Sequence, residues 1–232
     1  MRRVMEPELL DSDGGSAEEV RAALADLRMV NGCFGGVRTS RKLIERVVQR
    51  TGARAFTLLD VAAASGDCCL QAADQMAKRG VPVDITLLDR AASHLPRNGH
   101  RVLVGDALRL PFRDGAFDLV GCSLFAHHLE PEQVVAFIDE SLRVARTAVL
   151  INDLRRSRLH LALVYAGRPL FRSPMAWSDG LISVRRAYTL AEMSALLRRT
   201  NAAAVEVSEH YLFRLGATVW KTSAVTQQAA KS

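Results

Sequence analysis

At 232 residues, 49% hydrophobic and 24% charged, the chain has the balance of a soluble globular protein and can bury one large core without disulfides or a structural metal. Its net charge of +6 comes mainly from arginines scattered in pairs, with no basic tail, no aromatic-interleaved basic stretch and no RNA-binding module, so nucleic acid is not an expected partner. No apolar run approaches the roughly 20 residues that span a bilayer, and Glu6, Glu8, Asp11 and Asp13 lie where a signal peptide would be apolar, so a cytoplasmic protein without a membrane partner is expected. Cys33, Cys68, Cys69 and Cys122 lack CxxC spacing and read as free thiols, and no metal site is expected.

Residues 1–16 are acidic, glycine-containing and aperiodic, which predicts a mobile lead-in. Helical spacing of Val20, Ala23, Leu24 and Leu27 predicts a helix over 17–30, and after a loop at 31–36 a second helix begins at Ser40 and ends at Gly52. These form a helical cap, giving a lead-in and cap over 1–52 and an α/β body over 53–232.

Within that body strands and helices alternate: strand 56–61, helix 67–79, strand 83–88, a short helix 91–98, strand 101–104, strand 117–123, helix 131–144 and strand 147–152. That order implies a parallel sheet covered on both faces. Pro131 suits the first turn of its helix, and Thr189 with Glu192 forms a capping box that opens the last one. Residues 203–210 and 213–220 read as a closing antiparallel hairpin. Residues 154–188 are too long for a plain connection and predict a helical lid, in which Trp177 and Tyr188 join Phe34 of the cap to close a substrate pocket.

Chemistry concentrates at the C-terminal ends of the strands, where open α/β sheets bind ligands. The turn after the first strand is built from Ala62, Ala63, Ala64, Ser65 and Gly66, side chains small enough for close backbone approach to a ligand at the following helix N-terminus. Asp89 ends the second strand, where a carboxylate can accept from ribose hydroxyls. Phe125, Ala126, His127, His128 and Leu129 follow the strand that ends at Ser123, and a histidine there can move a proton near neutral pH.

The stretch from Gly105 to Val120, reading GDALRLPFRDGAFDLV, resembles the G-D-A-x-x-L-P-F-x-D-G-x-F-D-x-V signature of class I S-adenosylmethionine-dependent methyltransferases, close to the ubiquinone and menaquinone biosynthesis branch and its small-molecule O-methylating relatives. The first motif, Asp60 to Asp67, is similar to the D-V-A-x-G-x-G-D form of the same branch. The resemblance implies a Rossmann-like, seven-stranded, mostly parallel sheet with a C-terminal antiparallel hairpin. It implies S-adenosyl-L-methionine as cofactor and S-adenosyl-L-homocysteine as product. The cofactor set carried over is Asp60, Ala62, Ala64 and Gly66 at the first turn, Asp89 and Arg90 toward the ribose, Asp106 and Ala107 toward the adenine, and Ser123 at the edge of the methyl-transfer centre. Similar O-methyltransferases place the proton-removing base on the first histidine of an H-H pair with an aspartate after the next strand, here His127 and Asp153, with His128 beside them.

Ala64 departs from the family, which has its central glycine there. If the position needs positive φ, the Cβ costs about 1–2 kcal/mol, equivalent to about tenfold in affinity. The expected activity is methyl transfer to a small phenolic or quinol/polyketide-like hydroxyl by a monomer or homodimer. The rivals are C-methylation of a quinone-type ring, RNA methylation, and a non-catalytic methyltransferase-like binding module. The basic run from Arg155 to Arg158 could anchor an acidic or phenolate-bearing acceptor, although such a run is more often a solvated helix face.

Overall fold

The computed structural model describes residues 1–10, 15–96 and 99–222. Helices α1 (Ala17–Cys33) and α2 (Gly36–Thr51) come first, followed by β1 (Phe56–Val61), α3 (Asp67–Ala77), β2 (Val83–Asp89), β3 (Arg101–Val104) and β4 (Phe117–Ser123). After a 3-10 turn at Ala126–His128 come α4 (Pro131–Val144), β5 (Ala145–Leu154), α5 (Arg158–Ala166), α6 (Pro174–Arg186), α7 (Leu190–Leu197), β6 (Ala204–His210) and β7 (Arg214–Trp220).

The seven strands form one sheet in the order β3-β2-β1-β4-β5-β7-β6. Neighbours from β3 to β5 run parallel, and β7 pairs antiparallel with both β5 and β6. Strands buried on both faces must be apolar on both, and successive residues of β1 divide accordingly. Leu59 and Val61 pack with Phe137, Ile138 and Met193 beneath α4 and α7, while Phe56 and Leu58 pack with Leu43, Ile44 and Met76 beneath α2 and α3. The Rossmann-like arrangement and its closing hairpin agree with the sequence reading, as does the capping box of Thr189 and Glu192. Among the described residues no helix is long and apolar enough to cross a membrane.

Four local expectations are corrected. Residues 1–10 are packed against the body rather than forming a mobile lead-in, because Arg3 donates to the carbonyls of His127, Leu129 and Arg186 and lies 4.1 Å over the Tyr188 ring. Residues 11–14 lie outside the described part. The cap has almost no loop at 31–36: α1 runs on to Cys33 and α2 starts at Gly36, with Gly35 at φ +84° in a corner where a Cβ would sit 2.6 Å from the Tyr211 carbonyl. Residues 91–96 make turns instead of the start of a helix, with 97–98 outside the described residues. Strand β5 extends past Asn152 to Leu154, because β7 pairs with it over that whole length, and so carries Asp153 inside the sheet.

Candidate active site

A cleft of about 810 Å³ opens over the C-terminal ends of β1, β2 and β4. On one side it is lined by Asp60, Ala62, Ala64 and Gly66 of the first turn, with Asp89 and Arg90 after β2. Asp106 and Ala107 after β3 line the next part, and Ser123, His127 and His128 after β4 complete it. The structure thus gathers every sequence-predicted site residue except Asp153 on one surface, and Asp153 stands directly behind His127.

The first turn shows why small residues are needed. Ala62 (φ 54°), Ala64 (φ 46°) and Gly66 (φ 71°) all lie in the left-handed region. The Ala64 N–H donates to Asp89 Oδ2 at 2.8 Å, Ala63 N–H to Leu88 O at 3.0 Å and Gly66 N–H to Ala63 O at 2.7 Å, so the turn is held by the protein's own contacts. A Cβ on Gly66 would lie 2.9 Å from the terminal methyls of Leu87, which together with the positive φ favours glycine there. The turn thus holds Ala64 in a left-handed conformation through contacts of its own. Asp89 Oδ1 meanwhile accepts from Ala91 N–H at 2.9 Å, and Asp106 Oδ1 from Leu108 N–H at 2.9 Å, which orients both carboxylates toward the same crevice wall.

Buried polar atoms around the cleft without a hydrogen-bond partner include Asp60 Oδ1, Ser123 Oγ, His127 Nε2 and Arg214 Nη1. Buried polar groups are nearly always satisfied, so orphans gathered at one cleft mark a place where a ligand completes the bonding. Burial, reinforced by nearby Asp89, pushes the Asp60 carboxyl up to about 7 against the opposing bond from Cys69.

The histidine pair is asymmetric. His127 is 1% exposed, its Nδ1 lies 2.6 Å from Asp153 Oδ1, and its backbone N–H donates to Asp153 Oδ2 at 2.9 Å. The carboxylate therefore fixes Nδ1–H and leaves Nε2 toward the cleft. Glu8, which the sequence did not single out, brings Oε1 to 3.4 Å from His127 Nε2 and Oε2 to 3.7 Å from His128 Nε2. Burial works against charge on His127, but Asp153 and then Glu8 outweigh it and raise its pKa to about 9. The same contacts, with the Ser183 hydroxyl, hold Glu8 below the usual carboxylate range despite its burial, and Asp153 is likewise held low by His127. Glu8, His127 and His128 are also a group whose ligand atoms lie within 4.8 Å of one another, as a metal site would require. Arg186, 3.7 Å from Glu8 Oε1, already balances that carboxylate, which favours the ion-pair reading.

Other expectations are not met. Phe34, Trp177 and Tyr188 do not line the cleft. Trp177 Nε1 donates to Val164 O at 3.1 Å and ties α6 to α5, the Tyr188 hydroxyl donates to Leu129 O at 2.8 Å, and Phe34 offers its carbonyl to Arg214. The basic run is also engaged elsewhere, Arg155 with Glu209 at 2.9 Å and Arg156 with Glu192 and the Ala187 and Met1 carbonyls. The buried cations at the cleft are instead Arg186, beside Glu8, and Arg214, on β7.

Residues 59–150 match the family model described as a methyltransferase domain. No curated protein matches the chain by sequence. Among solved structures, the plantazolicin methyltransferase BpumL, in complex with a pentazolic desmethylPZN analogue and S-adenosylhomocysteine, superposes with a TM-score of 0.67 at 12% identity over 93% of this chain and 94% of that one. A SAM-dependent methyltransferase from Aquifex aeolicus gives 0.57 at 15% identity over 88% and 98%. Magnesium protoporphyrin IX methyltransferase from Synechocystis, with bound S-adenosylhomocysteine, gives 0.51 at 15% identity over 80% and 83%. Residues 59–150 are thus similar to a methyltransferase domain, and the whole chain has the fold that these methyltransferases share.

Proposed function

We propose that this chain transfers a methyl group from S-adenosylmethionine to a hydroxyl of a small phenolic or quinol/polyketide-like acceptor, releasing S-adenosylhomocysteine. The observation that carries the reading is the His127–Asp153 pair, buried at the cleft with Nδ1–Oδ1 at 2.6 Å and Nε2 without a hydrogen-bond partner.

The alanine-rich turn, Asp60 and Ser123 would hold the amino-acid part of the cofactor, Asp89 and Arg90 the ribose, and Asp106 with Ala107 the adenine. The cofactor supplies an electrophilic methyl on a sulfonium. Catalysis by the chain then consists of alignment and of proton removal from the acceptor hydroxyl. His127 Nε2 is the atom placed to take that proton, while Asp153 holds the tautomer and Glu8 stabilises the imidazolium that forms. With its pKa lifted to about 9, neutral His127 accumulates only as the pH rises through that value, so methyl transfer should accelerate toward alkaline pH.

The test is turnover on a panel of phenolic and quinol acceptors, with the methylated atom located by NMR and wild type compared with His127→Ala. Loss of about two to four orders of magnitude is expected for removal of a general base. A rate within tenfold of wild type would instead favour C-methylation of an already ionised ring.

A further inference from the structure

The cleft contains a charged group that neither the proton-handling pair nor the cofactor turn accounts for. Arg214, the first residue of β7, is 1% exposed yet lines the cleft. Its Nη2 donates to Asn31 Oδ1 at 2.8 Å and its Nε lies 3.4 Å from the Phe34 carbonyl, while Nη1 is buried with no hydrogen-bond partner. The other buried arginines have carboxylates: Arg156 pairs with Glu192, and Arg186 lies 3.7 Å from Glu8. Arg214 pairs with none among the described residues. The carboxylate whose charge reaches it, Asp153, is already committed to His127 and to the N–H groups of His127 and Leu154.

A guanidinium taken out of water without an anion is strongly disfavoured, and it persists where a ligand supplies the missing charge. The surroundings point the same way. Gly35 lets the corner between α1 and α2 pass beside the Arg214 side chain, where an added Cβ would lie 3.8 Å from Arg214 Cγ, and Cys68 in the first turn of α3 lies close enough to influence its charge. The positive end of that helix and the guanidinium therefore face the same part of the cleft. The planar fork of arginine matches a carboxylate in particular.

We infer that Arg214, together with Asn31, forms a carboxylate-binding subsite of the cleft, filled by the acid group of one of the two reactants. Two sources offer that chemistry: the amino-acid end of the methyl donor and an acid group on the acceptor. The donor arm rests on the methyltransferase reading above, whereas the acceptor arm does not.

The experiment is calorimetric titration of the full chain and of Arg214→Met. One pair of ligands is S-adenosylhomocysteine and its decarboxylated amine analogue. The other is 4-hydroxybenzoate and 4-hydroxybenzyl alcohol. Arg214→Met should weaken the acid of the responding pair by about tenfold or more and leave its acid-free partner within about threefold. The pair that responds names the source. Equal weakening of acid and acid-free ligand, or no weakening of either acid, would overturn the subsite. If wild type fails to bind S-adenosylhomocysteine, the cofactor reading fails while the aromatic acid still tests Arg214, and failure of wild type with both acids overturns the subsite as well. Thermal unfolding without ligand separates a structural role. Removing an unpaired buried charge should leave the melting temperature level or raise it, and a clear fall would make Arg214 a structural cation and refute the inference.

Discussion

Replacing Ala64 by glycine probes the cofactor turn without touching any side chain that performs chemistry. Ala64 sits at φ 46°, a left-handed conformation that its Cβ disfavours by about 1–2 kcal/mol. Glycine removes that strain but gives the unfolded chain more freedom, an opposing effect of about 0.4–1 kcal/mol. The net expectation is a gain of about 0.5–1 kcal/mol, or about 1–4 °C in melting temperature at this chain length. Because the Asp89 carboxylate and the Ala63 carbonyl hold the turn, the strain falls on folding rather than on ligand binding. Affinity for S-adenosylhomocysteine should accordingly change by less than the tenfold that the substitution suggests when the sequence is taken alone. Urea unfolding and calorimetry, run on wild type and Ala64→Gly, read the two quantities separately. A tenfold gain in affinity with unchanged stability would refute the reasoning, since it would mean that the left-handed backbone is imposed by the ligand.

Glu8→Gln removes one of the two carboxylates that lift His127, so the rising limb of kcat/KM should move from about 9 down by about one pH unit. An unmoved limb in a pH–rate profile would show that Glu8 does not govern the base. Stability should respond to the same ionisation. The His127 pKa, raised from 6.5 to about 9 in the fold, contributes stability that is fully present below pH 6.5 and lost as the pH rises through about 9. The loss is on the order of 3 kcal/mol between those limits. Urea unfolding at pH 6.5 and 9.5 should show it in wild type and not in His127→Asn.

Much of the sheet was legible because the period of the hydrophobic pattern changes where strands give way to helices, and because Gly52 and Pro131 punctuate it. The gathering of the proposed cofactor residues at one cleft was legible for a related reason: they follow strand ends, and small or acidic side chains there are local signals. The missing parts of the site depend on contacts distant along the chain. Glu8 lies in an aperiodic segment whose partners are His127, Ser183 and Arg186, and nothing near it in sequence announces that it is buried. Arg214 begins a strand whose seven residues are all buried, and a charge in that position reads from sequence as a strand boundary. The arginines after Asp153 misled in the opposite direction, since their clustering suggested a ligand anchor while each of Arg155 and Arg156 had its own carboxylate on the hairpin or on α7. Aromatic residues at the lid carried no directional signal, and packing between α5 and α6 claimed Trp177.

Strand β7 is the last strand among the described residues but an interior one in the sheet, lodged between β5 and β6. During synthesis β5 must therefore wait with an unpaired edge until the helices, β6 and β7 that follow it have emerged, and the pairing that closes it joins residues far apart in sequence. Long-range pairing of this kind slows folding and leaves sticky edges exposed in the interim. Asp153 and Arg214 lie on the two strands of this late junction, at adjacent positions of the register. The cleft should thus be among the final features to form, and refolding followed by a ligand signal should lag behind refolding followed by helix content.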